Sequence, residues 1–396
     1  MSLQNPVFIP GPTNMPDAIR KACDLPTIDH RSPAFARLFR PAVEGVRRVL
    51  RMAGGEVIVL PATGTGGWEA AVTNTLSPGD HVLAARYGMF SQRWIDLCRR
   101  HGLQVEVLET PWGQGAPADR IEAALRADTG GRIKAVLATH NETATGVRSD
   151  IAGIRGAMDR AGHGALLFVD GVSSIASMPF EMAEWGVDIA VAGSQKGFML
   201  PAGLAILGVS DKALAAMETA RLPRCYFDFR DMLKAYAAGG YPYTPAAGLI
   251  AGLARSVEML EDEGLPAVYA RHARLAEGVR RAVAGWGLRP CAATPDLCSD
   301  TVTAVVVPPG CNGTDLVALA ARKYGVAFGV GLGEVAGKVF RIGHLGMLTE
   351  VLVLSGLATA EMCMADLGWP VQLGSGVAAA QEFYRGSVPG MALAAE

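Results

Sequence analysis

Residues 165–197, ALLFVDGVSSIASMPFEMAEWGVDIAVAGSQKG, decide how this chain reads. Ala165–Asp170 and Val187–Ala192 are apolar without strict alternation, the pattern of strands covered on both faces. The first run stops at Asp170; the second leads into Gly193-Ser194-Gln195-Lys196-Gly197. A carboxylate and an amine therefore stand just beyond two buried strands, where open α/β sheets place their ligands.

Working outward, further strands are expected at Val57–Leu60, His81–Ala85, Gln104–Leu108, Ile133–Thr139 and Leu204–Val209. Helical spacing with charged faces fills Trp68–Leu76, Ser91–His101 and Asp150–Ala161. Strands alternating with helices predict an α/β fold, a mostly parallel central sheet with helices on both faces. A Tyr/Pro/Gly-rich stretch, Gly239–Pro245, interrupts the pattern. Helices around Leu249–Glu263 and Val268–Trp286, a strand at Thr301–Val307 and a Gly-dense region at Phe328–Gly346 then predict a smaller α+β C-terminal domain. The expected division is 1–15 as an N-terminal segment lining the site, 16–254 as the large domain, 255–375 as the small one and 376–396 as a tail.

A chain of 396 residues, half of them apolar and 19% charged, is long enough for two packed cores. A net charge of −2, with no basic block, gives no electrostatic reason to expect nucleic acid or an anionic membrane. Met1–Pro10 lacks a charged flank and a long apolar run, so no secretion signal is expected, and the apolar stretches stop short of a membrane span. The seven cysteines (23, 98, 225, 291, 298, 311 and 363) form no CxxC pair and are odd in number, so no metal site and no disulfide framework is expected. The sequons at Asn141 and Asn312 read as chance, and the expected compartment is cytoplasmic.

A third feature joins Asp170 and Lys196. Ala62-Thr63-Gly64-Thr65-Gly66-Gly67 precedes a helix, and such a turn lets backbone N–H groups and the helix dipole hold an anion. Glu69 stands where a dinucleotide fingerprint needs glycine, and no Walker lysine follows, so one phosphate is the better guest. Each feature has a plain alternative: a structural turn, a helix N-cap at Asp170, an ordinary loop lysine at 196. Taken in this order they are what pyridoxal phosphate requires: a phosphate cup, an anion for the pyridine nitrogen and an amine for the aldehyde.

The chain resembles the class V aminotransferases, fold-type-I pyridoxal-phosphate enzymes, and within them the serine–, aspartate– and alanine–glyoxylate branch. The resemblance rests on PGPTN (10–14), DHRS (29–32), ATGTGGWE (62–69), THNETATG (139–146), FVDGVSS (168–174), GSQKG (193–197), YPYTP (241–245) and GKVFRIGHLG (337–346). It covers nearly the whole chain and leans toward the bacterial aspartate–glyoxylate and serine–glyoxylate enzymes. The resemblance implies that Lys196 carries the cofactor as a Schiff base and that Asp170 pairs with the pyridinium. It implies phosphate contacts from Thr65, Gly66, Gly67 and Gln195, ring stacking by Phe90, a hydrogen bond from Thr143 and packing by Val172. Tyr241 and Thr244 would reach a neighbouring subunit's phosphate, making the working unit at least a homodimer. Arg341 would grip the substrate carboxylate, with Gly11 and Thr13 lining the same pocket and His30 and Arg31 as candidates for donor recognition.

The bland readings stay beside these: a core aromatic at Phe90, a turn hydroxyl at Thr143, an exposed Gln195, a proline-rich linker at 241–245, an ion pair at Arg341 and a helix-edge salt bridge at 30–31. The implied reaction moves an amino group from a small amino acid to a 2-oxo acid, glyoxylate, giving glycine. A cysteine desulfurase of the same fold, with Cys225 as its mobile thiol, and a cofactor-bearing scaffold without turnover are the rivals.

Overall fold

The computed structural model describes residues 5–386. In chain order its strands are β1 (Val7–Phe8), β2 (Glu56–Pro61), β3 (His81–Arg86), β4 (Gln104–Glu109), β5 (Ile133–Thr139), β6 (Asn141–Glu142), β7 (Val147–Arg148), β8 (Leu166–Asp170), β9 (Ile189–Gly193), β10 (Leu204–Val209), β11 (Arg289–Pro290), β12 (Val302–Val306), β13 (Ala327–Val330) and β14 (Val339–Gly343). Seven of them form one sheet in the order β2-β10-β9-β8-β5-β3-β4. The pairs β9–β8, β8–β5, β5–β3 and β3–β4 are parallel, whereas β10 runs antiparallel to both of its neighbours. All residues of β8, β9 and β10 are buried, which explains why their sequences carry no alternation.

This is the expected α/β architecture, mostly parallel and joined to a smaller C-terminal unit. That unit has its own five-stranded sheet, β1-β13-β14-β12-β11, and its own core around Val279, Phe328, Phe340 and Leu357. Two features of it escape a reading along the chain. Its edge strand β1 comes from the N-terminus and pairs in parallel with β13, Val7 opposite Ala327. Helix Ala247–Glu263 runs through position 255, and helix Leu265–Gly285 begins against the large core at Val268 and ends in the small one at Val283. The passage from one core to the other is thus made along a helix.

The stretch from 376, read as a tail, begins as a helix, Ser375–Arg385. Tyr384 donates to the Leu275 carbonyl at 2.9 Å, and Gly278 leaves the space that its ring fills. Residues 387–396 of that tail lie outside the described residues. Asn141 of the first sequon is buried and bonded to Ser173 and Thr301, while Asn312 caps helix Gly313–Leu319. No helix among the described residues is long and apolar enough to cross a membrane, and no group of side chains there is arranged to hold a metal.

Candidate active site

The carboxyl ends of β2, β3, β5, β8 and β9 open on one side of the large sheet, because these strands share a direction. A cavity of about 200 Å³ lies there, lined by Gly11, Thr63, Gly64, Thr65, Trp68, Phe90, Thr143, Asp170, Val172, Gln195 and Lys196. Eight of the residues singled out from the sequence therefore meet in one place. They arrive from six separate segments of chain.

Asp170 ends β8 and is buried, with a single hydrogen bond to its side chain, from the Val172 N–H to Oδ1 at 2.9 Å. Loss of hydration pushes its carboxyl up to about 7, with the nearby Glu142 carboxylate adding to the rise; Lys196 and the Trp68 indole pull the other way. The Trp68 Nε1–H has no partner of hydrogen-bond geometry, and neither has the buried Gln195 Oε1. Lys196 shows the mirror effect. Enclosure, with the Arg341 charge acting in the same direction and Asp170 against it, lowers its ammonium to about 8. An amine so placed is available as a base or nucleophile near neutral pH.

The lysine is covered from the N-terminus. Its Nζ donates to the Pro10 carbonyl, Thr13 N–H donates to the Gln195 carbonyl at 3.2 Å, and the Thr13 hydroxyl donates to the Lys196 carbonyl at 3.3 Å. Gly11 has φ +107°, and a Cβ there would lie 2.5 Å from Lys196 Cδ, so only glycine fits. Asn14 closes this strap, its amide bonding the Val7 N–H and carbonyl at 2.9 Å each.

The glycine-rich stretch behaves differently from its reading as a turn. Gly64 begins the helix itself, which runs to Thr75. The first intrahelical bond is Gly67 N–H to Thr63 carbonyl at 2.9 Å, so the N–H groups of Gly64, Thr65 and Gly66 precede it without intrahelical partners. Gly67 is not part of the cavity wall. A Cβ there would meet Val191 at 2.7 Å, so its role is to seat the helix on β9. Gly64 makes the analogous close approach to Val172, at 2.5 Å.

Phe90 and Thr143 form two other walls. Thr143 shares a 2.7 Å hydrogen bond with Ser173, and its carbonyl accepts from Arg341 Nη1 at 2.9 Å. Arg341, on β14, is 6% exposed; its Nε donates to the Val330 carbonyl at 2.8 Å, and it forms no ion pair among the described residues. Burial lowers its guanidinium to about 10, and Glu142 pulls it back up. A buried guanidinium held only by carbonyls keeps donors for an incoming carboxylate.

Tyr241, Thr244, His30 and Arg31 do not join the cavity of this chain. The Tyr241 hydroxyl donates to the Val59 carbonyl at 2.5 Å and its ring packs edge-on against Phe39, so its one donor is spent inside its own core. Thr244 is exposed. His30 is half-buried with an unpartnered Nε2, and Arg31 is exposed with its N–H bonded to Asp29. Thr63, Gly64 and Trp68 line the cavity, and Asn14 and Glu142 brace segments that line it, although the sequence reading gave none of the five a role of its own. All five lay in quoted motifs, PGPTN, ATGTGGWE and THNETATG; only their burial and contacts set them apart.

Residues 25–342 match the family model for aminotransferase class V. The chain belongs to that family. It is 66% identical to the L-aspartate–glyoxylate aminotransferase of Paracoccus denitrificans (strain Pd 1222), with 97% of each chain covered. It is 51% identical to the serine–glyoxylate aminotransferase of Hyphomicrobium methylovorum, over 97% of this chain and 95% of that one. Among solved structures, the pyridoxamine–pyruvate aminotransferase of Mesorhizobium loti superposes with a TM-score of 0.89 at 29% identity, covering 97% and 98% of the two chains. Membership in the class V aminotransferases implies pyridoxal phosphate as the cofactor of the site just described.

Proposed function

We propose that the chain is a pyridoxal-phosphate aminotransferase that moves the amino group of aspartate or serine to glyoxylate, giving glycine and the matching 2-oxo acid. The observation that carries this reading is the cavity in which Asp170 and Lys196 are enclosed together, neither of them in an ion pair among the described residues. The residues fit the cofactor. Asp170 offers a buried oxygen with no donor, the start of helix Gly64–Thr75 offers free N–H groups, and Gln195 and Trp68 keep unpartnered polar atoms beside them.

When bound, pyridoxal phosphate supplies a carbonyl carbon that takes up the amino group and a ring that accommodates the charge left at Cα. Lys196 would hold the aldehyde end, and its amine, with a lowered proton affinity, would be the base that moves the Cα proton. Asp170 keeps the ring nitrogen protonated, a task for which a buried carboxylate beside a cation is suited. Gly64, Thr65 and Gly66 N–H groups, with Gln195, would hold the phosphate, and Phe90, Val172 and Thr143 would contact the ring. Arg341 binds the α-carboxylate that donor and acceptor share.

Identity of 66% to an aspartate–glyoxylate enzyme against 51% to a serine–glyoxylate enzyme favours aspartate as donor. The exposed Thr244 supports a second subunit completing the phosphate site, whereas Tyr241 faces inward. The deciding experiment is a donor screen with glyoxylate as acceptor. Ping-pong kinetics with aspartate giving the highest kcat/KM is expected; sulfide release from cysteine without amino transfer would replace this reading with the desulfurase.

A further inference from the structure

Glu142 is fully buried and forms no ion pair among the described residues. A carboxylate in such a place is costly unless other groups solvate it. Here backbone N–H groups do so from two directions. Its oxygens accept from Phe90 N–H at 3.1 and 3.2 Å and from Ser91 N–H at 3.0 Å, at the start of helix Met89–Arg100, and from Ala144 N–H at 3.1 Å in its own loop. That helix has no acidic residue in its first turn, so the anion its dipole favours comes from another element. Gly88, at the helix cap, is shaped for the same group: a Cβ there would collide with Glu142 Cγ and Cδ.

Phe90 and Thr143 line the cavity, and the Glu142 hydrogen bonds reach Phe90 itself and the residue after Thr143. We propose that Glu142 is a positioning residue that clasps these two walls, setting the Phe90 ring at the distance from the Thr143 loop that the flat cofactor requires. The proposal rests on the reading of the cavity as a pyridoxal-phosphate site. Glu142 itself touches no reacting atom. Burial pushes its carboxyl above the ordinary carboxylate range, and the Ser91, Ala144 and Phe90 N–H groups pull it part of the way back.

The test is a cofactor-binding cycle on purified apo protein, read by fluorescence titration with pyridoxal phosphate and by the circular dichroism of the bound cofactor. Glu142→Gln keeps the shape but turns an amide N–H₂ toward backbone donors. It is expected to weaken binding about tenfold and to reduce the visible dichroic band. In a Phe90→Ala background the same change is expected to add nothing, because the ring it positions is gone. Gly88→Ala, whose φ of 178° suits any residue, displaces the carboxylate without removing it and should reproduce the defect. It carries the cycle alone should Glu142→Gln lose its thermal unfolding transition. Wild-type affinity in the folded variants, or equal losses with and without Phe90, would overturn the assignment. A wild-type chain that binds no pyridoxal phosphate would overturn the site reading beneath it as well.

Discussion

Two buried carboxylates in this molecule are treated in opposite ways. Glu361, in the small unit, is satisfied on every side: Oε1 accepts from Trp286 Nε1 at 2.8 Å, Gly376 N–H at 2.8 Å and Val377 N–H at 2.9 Å, and Oε2 from Gly374 N–H at 2.7 Å. Asp170, at the mouth of the large sheet, receives one hydrogen bond and is driven toward neutrality. Equal burial with unequal satisfaction separates a residue that holds the fold from one waiting for a partner. The small unit uses its carboxylate to fasten helix Ser375–Arg385; the sheet mouth leaves its own exposed to whatever enters the cavity.

The most damaging change to the waiting side is Lys196→Ala. It should remove the cofactor adduct, seen as loss of a borohydride-trapped lysine peptide, and lower amino transfer by more than about a thousandfold. Unchanged turnover would end the distinction. Asp170→Asn should lower kcat by about a hundredfold or more while making the apo protein more stable at neutral pH. The sign follows from titration. The carboxyl protonates near 7 in the folded chain against an ordinary 3.8, so the stability it contributes is complete below pH 4 and lost as pH rises through 7. The groups facing it are Glu142, Lys196 and Trp68. The stability gain of apo Asp170→Asn over wild type should therefore be larger at pH 8 than at pH 5, by at most about 3 kcal/mol. A gain that shrinks with pH would contradict the burial argument.

Arg341→Ala should raise KM for both the amino and the keto substrate, by about ten- to a hundredfold, since both present the same carboxylate. An effect on one substrate alone would remove Arg341 from that role. The smallest effect on activity is expected on the satisfied side. Glu361→Ala should leave kcat/KM near wild type yet cost about 1–3 kcal/mol in thermal or denaturant unfolding, because four donors lose their acceptor.

The large sheet was readable because its strands are buried on both faces and announce themselves as unbroken apolar runs. Ile133–Thr139 and Leu204–Val209 were placed to the residue, and the others to within two. Asp170 and Lys196 were readable because a charge at the end of such a run is conspicuous. The antiparallel direction of β10 was not, since a buried strand has the same composition either way. Nor was the start of helix Gly64–Thr75, where four glycines and threonines hide a helical turn whose N–H groups are left free.

Chemical character, then, is written locally: which strands are covered, which residue ends each one, and which side chains are able to ionise. Partnership is not local. That Val7 pairs with Ala327, that Tyr241 spends its hydroxyl on Val59, and that Glu142 lies against Gly88 depend on segments brought together only when the chain closes. Whether a buried polar atom is satisfied or left wanting is a sum over such neighbours, so it exists only in the folded molecule.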